Sequence, residues 1–382
     1  MIILENINQI AIITNIPTPY RQKQWEYYFK EGNLDLSIYY CAKSEKDRLW
    51  TFKKYSGVNE NFMKGISLFK FHFNPGILKT FWRNYDLYIV GSFGYPTVMI
   101  AILFLRLFKK PWVLIHDGVS PLKLNKEKWH IKLIKRFFMN GADAYFANGI
   151  TGKKDLQSYS ISDEKIFNQY LTVDIENFMQ KSVEKEKLHK DIRLKYRISS
   201  SSIVIIYSGR LIKTKGVQDL IFAAEKLINK GYNIKVLIVG EGSYKDKLET
   251  LCGKIRDYVI FTGHIEPEEI YKYYYASDIF VLPTYDDPWG LVVNEAMACG
   301  LPIIVSRAAG CSLNLIKNNG YVIPENDVNK LCDAITKLMD PNVRNNCSKK
   351  SKELIKDWSY QNSLKSFNDL IKFIQQSRCG KN

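Results

Sequence analysis

Two carboxylates eight residues apart, Asp287 and Glu295, stand in the run Pro283-Thr-Tyr-Asp-Asp-Pro-Trp-Gly-Leu-Val-Val-Asn-Glu-Ala-Met-Ala-Cys-Gly-Leu-Pro302. The segment Asp287-Pro-Trp-Gly290 reads as a turn, and Leu291 and Val292 as the start of a helix. The first N–H groups of a helix have no carbonyl partner within it. Together with the helix dipole they favour an anion such as a diphosphate. Asp287 then stands on the loop and Glu295 about one turn inside the helix, so they can reach different parts of one ligand, such as a sugar hydroxyl and a ribose. An ordinary strand-to-helix connection fits this local pattern equally well.

A second group of chemistry-bearing residues is Ser208-Gly-Arg-Leu-Ile-Lys-Thr-Lys-Gly216. The Arg210 fork and the Lys215 point charge suit a diphosphate leaving group. Two solvated surface cations are the plain alternative, and their place directly after a strand counts against it. Val239-Gly-Glu-Gly242 lacks the third glycine of a dinucleotide fingerprint. In the first half, Asn15-Ile-Pro-Thr-Pro-Tyr-Arg21 is a helix start that also presents Arg21 to a phosphate or to hydroxyls. His116, in Ile115-His-Asp-Gly118, ends an apolar run; it can face a ligand or be satisfied by a neighbouring backbone group.

Something must position these residues. Apolar runs at Ile10–Thr14, Leu87–Val90, Trp112–Ile115 and Ala144–Ala147 read as buried strands with helices between them. The same alternation restarts at Ile203–Tyr207, Lys235–Val239, Val259–Phe261, Ile279–Leu282 and Ile303–Val305. The charged stretch from Lys181 to Lys190 between the two halves reads as a linker. Such alternation predicts parallel sheets covered by helices on both faces, with ligands beyond the carboxyl ends of the strands. The expected organisation is an α/β domain over residues 1–180, a second over 181–356, and a terminal amphipathic helix within 357–382. The cleft between two such domains is the default site.

The second half resembles the retaining glycosyltransferases of family 4. It shares with them, in order, the Gly209-Arg…Lys-Gly216 segment, the Val239-Gly-Glu-Gly242 turn, Phe261-Thr-Gly-His264, and the run from Gly290 to Pro302. The first half resembles them weakly, through Pro17-Thr-Pro-Tyr-Arg21. The resemblance implies a GT-B fold, two doubly wound Rossmann-like domains facing across a cleft, the first for the acceptor and the second for a nucleotide-sugar. It implies that Arg210 and Lys215 hold the donor diphosphate with the backbone of Gly290, Leu291 and Val292, that Glu295 binds the ribose, and that the backbone near His264 frames the base. It further implies that position 287 touches the donor sugar and that His116 acts beside it. The family usually has glutamate where this chain has Asp287; Asp286 can also serve. It also implies retention of configuration; no carboxylate nucleophile is visible, so front-face substitution without a metal is the expected mechanism, with no cofactor. The terminal helix is expected to return to the first domain.

Composition bounds these readings. The chain has 382 residues and a formal net charge of +16, which favours an anionic partner. No nucleic-acid module is present, so nucleic acid is not expected. Seven scattered cysteines without a CxxC suggest neither a disulfide framework nor a zinc site, and point to a reducing compartment. Residues 1–6 lack a basic leader, and Val98–Phe108 is too short to span a bilayer and reads as a buried helix. A cytoplasmic protein is expected, with the inner face of the plasma membrane as a docking surface. Lys128 to Met139 has helical spacing, with Lys128, Lys132, Lys135 and Arg136 on one side and Trp129, Leu133 and Phe137 on another. It reads either as a core helix with a solvated basic face or as a helix lying on an anionic membrane. The expected reaction is transfer of a sugar to a saccharide or lipid-linked acceptor in bacterial surface polysaccharide synthesis. A nucleotide-sugar epimerase and a non-catalytic sugar-binding protein are the alternatives.

Overall fold

The computed structural model describes residues 7–45, 52, 57–68, 71–91 and 94–379. Residues 1–6, which lack a basic leader, and residues 380–382 lie outside the described residues.

The chain forms two compact units: Met1–Gly118 with Leu124–Leu171 and Tyr360–Asn382, and Val119–Lys123 with Thr172–Ser359. The first carries a parallel sheet of β1 (Gln9–Thr14), β2 (Asp35–Tyr40), β3 (Asn59–Phe62), β6 (Leu87–Val90), β7 (Trp112–His116), β8 (Ala144–Ala147) and β9 (Ile166–Asn168) in the order β3-β2-β1-β6-β7-β8-β9. A small hairpin, β4 (Ile66–Leu68) and β5 (Phe71–Phe73), stands apart from it. Side chains alternate across this sheet as strand geometry requires. Ile10, Ile12, Leu87 and Ile89 enter one core, and Ala11, Ile13, Tyr88 and Val90 the other. Helix α1 (Pro19–Gly32) contributes Trp25 and Tyr28 to the first core, and α2 (Pro96–Leu107) contributes Val98, Ala101, Ile102 and Leu105 to the second. The expectation of a buried helix at Val98–Phe108 is corrected in part: the end of α2 leaves Leu107 and Phe108 73% and 57% exposed. Helices α3 (Trp129–Met139) and α4 (Gly149–Ser158) complete this stretch.

In the second unit, the charged stretch read as a linker folds instead. After α5 (Ile175–Gln180), a short 3-10 turn leads into α6 (Lys185–Lys195). Leu188 and Ile192, four apart, give α6 a buried stripe. Buried Arg193 donates to Asp278 at 2.7 Å and to the carbonyls of Ser202 and Ala276. Six strands follow, β10 (Ile203–Ser208), β11 (Ile234–Val239), β12 (Val259–Gly263), β13 (Ile279–Leu282), β14 (Ile303–Ser306) and β15 (Gly320–Ile323). All pair in parallel in the order β12-β11-β10-β13-β14-β15. Between them run α7 (Val217–Asn229), α8 (Lys245–Leu251), α9 (Tyr271–Tyr275), α10 (Val292–Ala298) and α11 (Ser312–Leu315), and α12 (Val328–Met339) and α13 (Pro341–Leu354) close the unit. The last helix, α14 (Tyr360–Cys379), belongs to the first unit, where Phe367, Leu370 and Ile374 pack with Ile12 and Leu36.

Each sheet reverses its winding once, between β1 and β6 and between β10 and β13. In open sheets the loops at the carboxyl side of such a reversal part and leave room for a ligand. Every chemistry-bearing loop noted in the sequence starts at the carboxyl end of a strand.

Candidate active site

The reversal point of the second sheet brings together the loops after β10 and β13. They are laced by backbone: Tyr285 donates its N–H to the Thr214 carbonyl at 2.8 Å, and the Thr284 hydroxyl donates to the same oxygen at 3.1 Å. Gly216 permits this approach. It has a φ of +68°, and a Cβ there would stand 2.0 Å from the Pro283 carbonyl oxygen. Gly240, with a φ of +137°, does the same for the next pair of loops, where a Cβ would meet the Gly209 carbonyl oxygen at 2.0 Å. The Val-Gly-Glu-Gly turn is thus a close-packing device between strand ends. Gly216→Ala is expected to cost more than about 2 kcal/mol, because the strained backbone and the clash add. Gly231→Ala, at a similar φ of +85° with nothing within 4 Å of its Cβ, should cost about half as much or less. Denaturant unfolding of the two variants checks the contrast.

This lacing sets Lys215 against Asp287. The lysine Nζ lies 2.5 Å from the Asp287 Oδ2, with the side chains 13% and 15% exposed. The other Asp287 oxygen accepts the Trp289 N–H at 3.1 Å. The Asp287 backbone bridges to Ala309 and accepts from the Gly310 N–H. The neighbouring Asp286 points elsewhere, its carboxylate 2.5 Å from Lys123 of the Val119–Lys123 segment. Arg210 belongs to the same cluster. Its carbonyl accepts the Tyr207 hydroxyl at 2.9 Å, and that buried hydroxyl lies in the fields of both Asp287 and Arg210.

Gly290, with a φ of +93°, turns the chain against Leu282 and Cys311, and Leu291 precedes the helix that Val292 begins. The helix runs for seven residues, so its leading N–H groups, more than a long dipole, offer the attraction for an anion. Trp289 is core, its indole N–H donating to Asn294 at 3.0 Å and its ring 4.5 Å from Trp358. Glu295 accepts the Tyr274 hydroxyl at 2.7 Å, and burial pushes its carboxyl up to about 7. Burial first, and the Glu295 charge second, hold Tyr274 protonated and donating. Tyr274 lies 21 residues upstream in a run of three tyrosines, and no local pattern marks it. His264 follows β12 and is exposed, its Nε2 3.6 Å from Glu266. Just before it, the Gly263 carbonyl accepts from the Gly240 N–H at 2.9 Å.

In the first unit, Arg21 pairs with Asp117, the residue that follows His116 in the chain. Arg21 reaches Asp117 at 2.5 Å and Gln24 at 2.7 Å. His116 ends β7, and its Nε2 lies 2.9 Å from the Oδ2 of Asp155 on α4, although the geometry completes no hydrogen bond between them. Asp155 comes from a helix nearly forty residues on, and sequence spacing gives no sign of it.

Residues 189–354 match the model of the glycosyl transferases group 1 family. The chain is 38% identical over 128 residues to an uncharacterized glycosyltransferase of Methanocaldococcus jannaschii, covering 32% of each chain. It is 29% identical over 179 residues to the GDP-mannose-dependent monoacylated alpha-(1-6)-phosphatidylinositol monomannoside mannosyltransferase of Corynebacterium glutamicum, covering 45% of this chain and 46% of that one. The chain therefore spans about a third to a half of the length of these curated relatives. Over 97% of its length it superposes on all of the sucrose-phosphate synthase structure from Thermosynechococcus elongatus, with a TM-score of 0.76 at 17% identity. That likeness gives the fold, the two-unit GT-B class expected from the sequence. The strand-end loops of the second sheet that carry the candidate site lie within residues 189–354, the segment that matches the glycosyl transferases group 1 model.

Proposed function

We propose that the protein transfers a sugar, with retention of anomeric configuration, from a nucleoside-diphosphate donor to a saccharide or lipid-linked saccharide acceptor. The observation that carries the reading is the convergence of Lys215, Arg210 and Asp287 at the reversal point of the second sheet, with the Leu291 and Val292 N–H groups and Glu295 on the helix that follows. As the bond from sugar to phosphate lengthens, negative charge grows on the leaving diphosphate. Arg210, Lys215 and the helix N–H groups oppose that charge without a metal. Glu295 accepts from the ribose hydroxyls, and Asp287 from a hydroxyl of the donor sugar. The leaving phosphate takes the acceptor's proton in a front-face substitution. Arg21 and His116 of the first unit serve the acceptor and the donor sugar. The lipid-glycan acceptor in the name of the Corynebacterium relative supports a lipid-linked or polysaccharide acceptor here, in bacterial surface glycan assembly at the cytoplasmic side of the membrane.

A thermal-shift screen against UDP-, GDP- and ADP-sugars tests the reading. One base should raise the midpoint by several degrees at concentrations far above its Kd, because only the folded protein binds it. Incubation of that donor alone should leave it unepimerised. No shift with any nucleotide-sugar would overturn the proposal.

A further inference from the structure

Helix α3 is not a core helix. Of its eleven residues only Met139 is buried. Trp129 is 74% exposed, and Leu133, Ile134 and Phe137 each more than half exposed. A single exposed leucine is unremarkable, but an aromatic and aliphatic face open along a whole helix is not. The helix is nevertheless held in place. Lys135 and the Tyr159 hydroxyl both engage Glu127 just ahead of it, and at its other end the Met139 carbonyl accepts the Tyr145 hydroxyl at 2.8 Å. Arg106 of α2 donates to the Phe137 carbonyl at 2.5 Å with its guanidinium 4.8 Å from the Phe137 ring. That contact joins the face to the open end of α2, where Leu107 and Phe108 are exposed.

Charge identifies the occupant. Between Leu103 and Met139 stand nine Lys and Arg against two acids, so this tenth of the chain holds seven of its sixteen excess positive charges. Both acids are already paired, Glu127 with Lys135 and Asp117 with Arg21. Lys109, Lys128 and Arg136 are exposed beside the apolar residues. A protein partner would cover the apolar face, but only an anionic surface also uses the exposed cations Lys109, Lys128 and Arg136 around it. Among the described residues no helix is long and apolar enough to cross a membrane.

We propose that α3 and the end of α2 form a docking surface for an anionic lipid bilayer, with Trp129, Leu133 and Phe137 entering the headgroup region and Lys109, Lys128, Lys132 and Arg136 meeting the lipid charges. The surface stands on exposure and charge and does not need the transferase reading. Vesicle flotation reads bound protein, whatever its activity.

The test uses the full chain with vesicles of phosphatidylcholine alone or with one third phosphatidylglycerol. The protein should float with the anionic vesicles at low salt, be largely released by high salt, and stay behind with neutral ones. Lys132→Glu with Arg136→Glu should weaken binding about tenfold or more, and Trp129→Ser with Phe137→Ser should do so with little effect on thermal stability. Flotation of both variants equal to that of the parent, or no flotation of the parent, would overturn the proposal. So would conversion of a dimer to a monomer by the Trp129→Ser/Phe137→Ser variant without loss of flotation, which would make the face a contact between copies of the chain.

Discussion

Lys215→Ala is expected to lower transfer from the nucleotide-sugar by about a hundredfold to a thousandfold, the usual cost of removing one group that meets growing charge. Lys215 lies 2.5 Å from Asp287, so the substitution has a second consequence. Asp287 then keeps the Trp289 N–H as a partner for its carboxylate but loses its cation, and the loss should destabilise the protein by about 1–2 kcal/mol. Lys215→Ala with Asp287→Asn should recover most of that stability and none of the activity. Asp287→Asn alone separates the two roles. Without its acidic neighbour Lys215 has one anion fewer to share, so affinity for the nucleoside diphosphate should hold or rise while turnover falls. Isothermal titration with the nucleoside diphosphate, beside initial rates with the donor, reads both. Equal turnover of Lys215→Ala and the parent would remove Lys215 from the site.

The pairing also bears on the aspartate that stands where the resembled family has glutamate. The two loops are held close together: Tyr285 and Thr284 both bond to Thr214, and Gly216 has no side chain to hold the loops apart. A carboxylate one methylene shorter therefore still reaches the lysine.

The parts of this arrangement legible in the sequence are those fixed locally. Buried strands such as Ile279–Leu282 are continuous apolar runs, and a glycine or a cation just after one marks its carboxyl end. The strand at Asn59–Phe62 is different: Asn-Glu-Asn-Phe has no apolar pattern, and its pairing with Ser37–Tyr40 defines it. Lys181–Lys190 misleads in the opposite sense, because its many charges hide the Leu188 and Ile192 stripe and the buried Arg193 that make it helical. In the site, the spacing of Asp287 and Glu295 is readable, but their partners are not. Lys215 is 72 residues from Asp287 and Tyr274 is 21 from Glu295; only the parallel order of the strands brings them together. Helix α3 shows the remaining limit. Its amphipathic pattern is plain in the sequence, and which side faces the protein is not.

The Glu295 carboxyl makes donor binding and stability respond to pH in opposite directions. Its pKa is pushed up from 4.5 to about 7 by burial. Below about 4.5 it is protonated in both the folded and the unfolded chain. As the pH rises toward 7 the unfolded chain releases the proton and the folded one keeps it, so stability contributed by this group is lost across that window, by up to about 3 kcal/mol. Glu295→Gln cannot ionise, and it should flatten that part of the stability profile and be the more stable protein at pH 8. Ribose hydroxyls, by contrast, donate best to an ionised carboxylate. Donor affinity of the parent should therefore rise through pH 7, and bound donor should draw the carboxyl's pKa downward. The thermal shift caused by donor should then grow between pH 6 and pH 8 even as the donor-free midpoint falls, and in Glu295→Gln it should be small at both. A donor-induced shift that ignores pH in the parent, or that persists undiminished in Glu295→Gln, would separate Glu295 from the ribose and leave it a buried carboxyl held by Tyr274.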